Sequence, residues 1–437
     1  MKIYLDTVGC RLNQAEIERY AREFHAAGHH LVSNPNDADL AVINTCAVTS
    51  AAVADSRQKI RMLSRSRVGK LVATGCWVTL KPQEAAELLG SGQIVANMDK
   101  DQLVPELLSI STSQFDQEPL ERVLIPGARL RTRAFIKAQD GCNNRCTFCV
   151  TTLARGQSRS RTIAEIVRDI QDTLRSIQPD GSENGLSRAA QEIVLTGVHL
   201  GSWGRDFRKP LHLMELVRAI LADTDVPRLR LSSLEPWDLD DCFFSLWQDS
   251  RLCRHLHLPL QSGSADTLRR MARKTTPTAF AELAAAARSS ILGVAITTDI
   301  IVGFPGETAI EFEESREFVR QMQFADGHVF TYSARPGTAA ASMHPQVAHS
   351  LAKDRNAQVR TILHDSARQF QAGFIGQVMP VLWESATSFG PQGWELSGLT
   401  DNYLRIHTRS AHPAWNQITP VRIIESRDDG LRGSLIA

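Results

Sequence analysis

The sequence predicts an α/β protein in three parts: an N-terminal parallel α/β domain, a central partial (β/α)6 barrel and a C-terminal small all-β barrel. Three observations carry this. Strand-like stretches alternate with helical periodicity over residues 1–110, and six further strand–helix units follow within 129–372. From Gly373 to residue 437 the pattern changes to short alternating strands separated by turns. Residues 111–128, rich in Ser, Pro and Gly, read as a linker. A chain of 437 residues exceeds one ordinary core and suggests about two to four units.

Lysine plus arginine (49) nearly cancels aspartate plus glutamate (48), so any hold on a nucleic acid must come from local patches. Met1 leads straight into a strand without an apolar signal core, and no apolar run approaches a membrane span. The expected setting is cytoplasmic, with no membrane partner. Eight cysteines in such a chain point to metal binding or catalysis and away from disulfides.

In the first domain, residues 2–10, 38–46 and 70–76 each read as a buried strand ending in a cysteine. Leu12, Ile17, Tyr20, Ala21 and Phe24 then share one helix face. Strands alternating with helices make a parallel sheet, whose ligands sit at the carboxyl ends of its strands. Cys10, Cys46 and Cys76 should therefore converge on one cleft, although thirty or more positions separate them. Between Ser56 and Lys70 there is no acid, and Arg57, Arg61 and Arg65 fall on one helix face, open to phosphates or to solvent.

The centre of the chain is Cys142-x-x-x-Cys146-x-x-Cys149, directly after an apolar strand at 134–138. Three thiolates in eight residues can wrap one metal centre, yet they are one short of the four ligands of a structural zinc site or an ordinary four-iron cluster. A zinc knuckle closed by a distant ligand such as His199 is the alternative. Around the motif, nine basic residues (Arg122, Arg129, Arg131, Arg133, Lys137, Arg145, Arg155, Arg159 and Arg161) face a single acid, Asp140. Such a belt suits an anionic polymer, unless its arginines pair with acids elsewhere in the fold.

Thr162 and Glu165 form a capping box ahead of the apolar stripe Ile163, Ile166, Val167, Ile170 and Leu174. A Gly/Ser-rich loop at 178–190 precedes strands at 192–197, 228–232, 255–260, 296–303 and 328–332, separated by helical segments such as 211–222 and 307–322. With the first strand these make six units, too few for a closed eight-stranded barrel, so the site is expected at the strands' carboxyl ends. Small and polar residues punctuate those ends, among them Gly197, His199, Ser233, Glu235, Gln261 and Arg335. Cys242, ahead of Phe243 and Phe244, reads as buried packing. After Gly373 five arginines and no lysine meet six acids, and Trp394, Tyr403 and Arg405 are the positions suited to stack on or pair with RNA.

Taken together these motifs resemble the radical S-adenosylmethionine (SAM) methylthiotransferases, across essentially the whole chain. The resemblance implies a [4Fe-4S] cluster on Cys142, Cys146 and Cys149, whose open iron chelates SAM and whose electron releases a 5′-deoxyadenosyl radical. Phe148 matches the aromatic position near the adenine, and Gly197, Ser233, Glu235 and Gln261 lie in stretches that border SAM. Gly9-Cys10-Arg-Leu-Asn13-Gln14, Asn44-Thr45-Cys46 and Thr74-Gly75-Cys76 match the family's three N-terminal signatures. By that match Cys10, Cys46 and Cys76 hold a second [4Fe-4S] cluster, which carries the sulfur to be methylated and donated. Trp77 replaces a frequent tyrosine and Val150-Thr-Thr152 a frequent Ile-Ile-Pro, with the ligands intact. Arg155, Arg159 and Arg161 match an element at the mouth of the site, and the C-terminal part resembles the RNA-binding TRAM domain.

Residues 196–206, 231–236 and 332–343 resemble the branch acting on threonylcarbamoyladenosine beside the tRNA anticodon. The implied reaction is radical thiomethylation of carbon 2 of that adenine in the anticodon loop, with His199 and Arg335 placed to meet the threonylcarbamoyl group. It calls for a low-potential electron donor such as flavodoxin or ferredoxin, and for a sulfur donor. No general acid or base is assigned. Competing readings are a sibling acting on isopentenyladenosine in tRNA or on an aspartate of a ribosomal protein, and a non-catalytic iron–sulfur or zinc-dependent RNA-binding protein.

Overall fold

In the computed structural model, residues 1–111, 123, 125–126, 132–175, 189–388, 390 and 393–436 are described. The expected linker and the loop at 178–190 fall almost wholly outside them, as do Arg122, Arg129 and Arg131.

In chain order the N-terminal domain comprises β1 (Lys2–Thr7), α1 (Arg11–Ala26), β2 (His30–Leu31), β3 (Leu40–Thr45), α2 (Ser50–Ser64), β4 (Lys70–Gly75), α3 (Cys76–Leu80), α4 (Pro82–Leu89), β5 (Gln93–Ile94) and α5 (Leu103–Leu108). Every strand pairing is parallel, in the order β2-β1-β3-β4-β5. The three central strands thus end on one edge, each within three residues of a cysteine. Ile17, Tyr20, Ala21 and Phe24 of α1 pack on this sheet with Leu5, Leu40 and Val42, as the periodicity predicts. The opposite, polar face of α1 is also buried: Asn13, Glu16, Arg22 and Glu23 are all under 9% exposed. That face meets the barrel, where Ala15 packs on Phe135 and Val194.

The core runs β6 (Arg133–Asp140), α6 (Thr151–Arg155), β7 (Arg159–Ser160), α7 (Ile163–Leu174), β8 (Glu192–Gly197), α8 (Leu213–Asp223), β9 (Leu229–Leu231), α9 (Asp241–Phe244), β10 (His255–His257), α10 (Ala265–Arg270), α11 (Pro277–Ser290), β11 (Ala295–Val302), α12 (Ala309–Met322) and β12 (Asp326–Thr331). All six expected barrel strands form, but hydrogen bonding is interrupted between β9 and β10, giving sheets β7-β6-β8-β9 and β10-β11-β12. Alternation along each strand sends Ile136, Ile193, Leu195, Leu229, Ile296 and Ile300 outward into one apolar core with α7, α8, α11 and α12. The Thr162–Glu165 capping box starts α7 as expected. Cys242 corrects one expectation: it is exposed, because the single turn of α9 turns Phe243 and Phe244 inward and Cys242 outward.

A 24-residue helix, α13 (His349–Ala372), leads to β13 (Val378–Ser388), β14 (Trp394–Thr400), β15 (Arg405–Ser410), β16 (Ile418–Arg427) and β17 (Gly430–Leu435). These strands close into a barrel in the order β13-β14-β15-β17-β16. Arginines of the core anchor it. Arg228 donates to the carbonyls of Leu399 and Pro380, and Arg230 to those of Asp401 and Thr400, while Arg254 pairs with the Asp401 carboxylate at 2.6 Å. Arg230 and its partner Glu192, 2.6 Å apart, are both fully buried. Replacing Arg230 by Met strands that carboxylate, so Arg230→Met is expected to cost about 3–5 kcal/mol. Exposed Arg409 is the control: Arg409→Met should stay within about 0.5 kcal/mol of the parent in the same denaturant titration.

Candidate active site

Cys10 caps α1, Cys46 follows β3 and Cys76 opens α3, so the sheet edge gathers the three. The gathering is tight. A Cβ on Gly9, whose φ is +100°, would lie 2.4 Å from Cys46 Cβ and 2.5 Å from Cys46 Sγ. Asn13 Oδ1 accepts from Cys10 Sγ at 3.6 Å, Asn97 Nδ2 donates to Cys76 Sγ at 3.6 Å, and Arg155 Nε donates to Cys76 Sγ at 3.3 Å. Burial, reinforced by the neighbouring Cys10 and Cys76, pushes the Cys46 thiol up to about 11.

The second triad lies on the loop after β6. Gly141 makes the turn possible, since at φ +71° a Cβ there would meet the Gln157 carbonyl at 1.9 Å. Amide donors already face the sulfurs: Asn144 N reaches Cys142 Sγ and Thr151 N reaches Cys149 Sγ, each at 3.4 Å. Burial pushes Cys146 up to about 11 despite the adjacent Arg273. Buried thiols of this kind ionise at neutral pH only when a metal displaces the proton. His199 Nδ1 stands 3.9 Å from Cys142 Sγ, and Nε2 is 2.5 Å from Asp238 Oδ2. Burial opposes its charge, but Asp238 and Cys142 raise it to about 9.

A cavity of ≈ 800 Å³ is lined by Cys10 and Cys76 together with Gly197, Ser233, His257 and Asp299. A second cavity of ≈ 570 Å³ is lined by Cys149, Phe148, Gln261, Ile301, Tyr332 and Arg335. The two share Val48, Thr151, Asp299 and Phe330 in their linings, so they adjoin. At the far end of the larger cavity Tyr403 stacks on His255 with ring centroids 4.7 Å apart, and Arg230 lies 4.9 Å over the same ring. Burial and the Arg230 charge hold His255 well below its usual value, hence neutral. His257 is within 2.9 Å of Thr297 Oγ1 and 3.3 Å of Asp299 Oδ2.

The remaining sequence candidates divide. Phe148 packs edge-on against Phe304. Gln261 adopts φ +72°, a strained conformation for a non-glycine residue, while its amide and carbonyl tie it to β11. Glu235 pairs with Arg273 at 2.6 Å, beside Cys146. Arg335 donates to the Val48 carbonyl and to Ser50 Oγ across the domain boundary. Much of the basic belt is neutralised: Arg133 pairs with Glu384, Lys137 with Asp101 and Arg161 with Asp169. Arg155, expected at an anionic mouth, is 2% exposed and points inward. Arg145 and Arg159 have no carboxylate partner among the described residues. On the C-terminal barrel Tyr403 is largely buried against Arg230, half-exposed Arg405 pairs with Glu384 and partly buried Trp394 packs against the barrel core. The lumen groups His257, Thr297, Asp299 and His328 escaped the sequence reading, although the period-two alternation of their strands marks them as inward-facing.

A partial barrel with a three-cysteine loop at its carboxyl edge defines a radical SAM enzyme, and residues 186–319 match the radical SAM superfamily while 2–96 match the uncharacterized protein family UPF0004. Over 435 residues the chain is 32% identical to threonylcarbamoyladenosine tRNA methylthiotransferase MtaB of Bacillus subtilis, covering 96% of this chain and 93% of that one. The protein of the same name from Thermotoga maritima is 32% identical over 412 residues, with coverages of 92% and 90%. A tRNA-2-methylthio-N(6)-dimethylallyladenosine synthase of Anoxybacillus flavithermus is 28% identical over 457 residues, covering 100% of this chain and 83% of that one. Among solved structures, the radical SAM methyltransferase TsrM of Kitasatospora setae superposes with TM-score 0.56 at 16% identity, covering 78% and 75% of the two chains, a likeness of fold alone. The chain belongs to the radical SAM methylthiotransferases, in the MtaB branch. SAM and a [4Fe-4S] cluster follow from that membership. No helix among the described residues is long and apolar enough to cross a membrane.

The crowding at Gly9 yields a test. Gly9→Ala would force its new Cβ into Cys46 and strain the backbone. It is expected to lower iron per chain after anaerobic reconstitution to about half the wild-type value, with SAM cleavage largely kept, if each triad holds its own cluster.

Proposed function

We propose that this chain transfers a methylthio group to carbon 2 of threonylcarbamoyladenosine beside the anticodon of tRNA. On this reading Cys142, Cys146 and Cys149 hold the cluster that binds SAM, and Cys10, Cys46 and Cys76 hold a second [4Fe-4S] cluster. The observation that carries it is the pair of adjoining cavities, one lined by Cys10 and Cys76 and the other by Cys149, which lets one substrate lie near both cysteine sets. When bound, SAM and the clusters supply a carbon radical that removes the hydrogen at carbon 2 and the methylated sulfur that replaces it.

The chain's own part is to bind and orient. Phe148 and Gln261 are proposed at the adenosyl end of SAM, and Gly197 and Ser233 where a backbone must approach it closely. Glu235 acts through Arg273 beside Cys146. Half-exposed Phe330, which lines both cavities, offers a face on which an adenine stacks. The polar groups His257, Thr297 and Asp299 in the lumen support a polar substituent on that adenine, and the higher identity to the two MtaB proteins supports the same choice. For the polyanion, Arg159 joins Arg145, Arg61 and Arg65 as the cations left to meet phosphates. A low-potential electron donor and a sulfur donor complete the proposed partners.

Two measurements test this. Iron and sulfide per chain after anaerobic reconstitution should be about eight each, falling to about four in a Cys142→Ala, Cys146→Ala, Cys149→Ala variant that no longer cleaves SAM. Four in the parent would remove the proposed sulfur donor. Given tRNA carrying either threonylcarbamoyladenosine or isopentenyladenosine, the enzyme should favour the former by on the order of 10²-fold or more, read by mass spectrometry of nucleosides. The reverse preference would move the chain to the sibling activity.

A further inference from the structure

Arg155 closes the short helix that follows Cys149, yet its guanidinium lies among the other cysteine set. Nε donates to Cys76 Sγ at 3.3 Å. Nη2 donates to Asn13 Oδ1 at 2.7 Å, and that oxygen also accepts from Cys10 Sγ at 3.6 Å. Nη1 donates to Asp140 Oδ1 at 2.9 Å and reaches Glu16 Oε1 at 3.3 Å. Asp140 stands two residues before Cys142. One buried side chain therefore touches Cys76, is bridged to Cys10 through Asn13, and is tied to both ends of the loop that carries Cys142, Cys146 and Cys149.

Charge balance alone does not call for an arginine here. Lys100 lies 2.5 Å from Glu16 and 3.0 Å from Asp140, and Lys137 is within 3.8 Å of both carboxylates. What a lysine cannot supply is a planar fork that meets a sulfur, an amide oxygen and a carboxylate at once. An N–H aimed at a cluster sulfur, backed by a desolvated positive charge, favours the more negative, reduced form of that cluster.

We propose that Arg155 is a positioning residue: it fixes the Cys10, Cys46 and Cys76 triad against the loop of the second triad and raises the reduction potential of the cluster the first triad holds. This rests on the two-cluster reading above, and the test separates the two. The background is the Cys142→Ala, Cys146→Ala, Cys149→Ala chain, which retains only the N-terminal site, followed by a reductive titration monitored by electron paramagnetic resonance. Arg155→Met should keep about four irons and titrate at a lower potential, with Arg155→Lys in between. A loaded Met variant that titrates with the background overturns the proposal. Should the Met variant fail to load, the Lys variant decides: a downward shift, or iron lost from a chain whose circular dichroism matches the background, supports it, and an unchanged potential overturns it. Absence of iron from the background itself refutes the second cluster, and the proposal falls with it.

Discussion

Glu16 and Asp140 form the joint on which the molecule depends. Both carboxylates are buried, and an isolated buried charge costs several kcal/mol. Burial works to keep them protonated, yet Lys100, Arg155 and Lys137 hold both below the usual carboxylate range. The partners come from separate places: Glu16 from α1, Lys100 from the turn before α5, Lys137 and Asp140 from β6, and Arg155 from α6. Glu16 meets Lys100 within the N-terminal domain and Asp140 meets Arg155 within the barrel, but the Lys100–Asp140 and Arg155–Glu16 contacts form only when the two sit in one register. Buried ion sets of this kind add little net stability. Their contribution here is to specify a docking that brings two cysteine loops to adjoining cavities.

That docking also explains how six strands can stand open without exposing a lumen. α1 fills the concave face over β6 and β8, with Ala15 against Phe135 and Val194 and Arg22 reaching Asp169 on α7. The C-terminal barrel covers the far end through Tyr403, held by Arg230 and Arg133. The concave face of β10, β11 and β12 stays free, and there the cavity lies. Arginines that read as an RNA-facing belt serve these internal joints instead, which is why the charge count near the cysteines overstates what is left for phosphates.

Much of the architecture was legible because its signals are local. Strands that end in cysteine, a capping box at Thr162 and turns around short β-strands each need only a few residues to declare themselves. What escaped depends on partners far away in sequence. The polar face of α1 looks solvated until β6 is laid on it. α13 escaped because its buried stripe is Ala352, Arg355, Val359, Leu363 and Ser366, with Arg355 made buriable by Glu307 on another segment. Arg155 looked like a surface cation because nothing near it in sequence announces Glu16 or Asn13. Inward-facing polar residues such as His257 and Asp299 were within reach of strand alternation, but their shared cavity needed the third dimension.

On the reading proposed above, the lumen bears on which adenosine is accepted. His255 Nδ1, Asp299 Oδ1 and Ser232 Oγ are buried atoms with no hydrogen-bond partner among the described residues, and all three residues line the larger cavity. Carbon 2 and carbon 6, which bears the exocyclic N6, flank the same ring nitrogen, so in the reaction proposed above the N6 substituent lies next to the carbon that receives the sulfur. A prenyl chain there would leave those atoms dry and unpaired, at about 1–3 kcal/mol each. A ureido group with a hydroxyl and a carboxylate offers them both donors and acceptors, and Arg11, at the cavity's edge beside Tyr403, offers a cation to the carboxylate. Discrimination of this sort comes from the penalty for the wrong substituent more than from attraction to the right one.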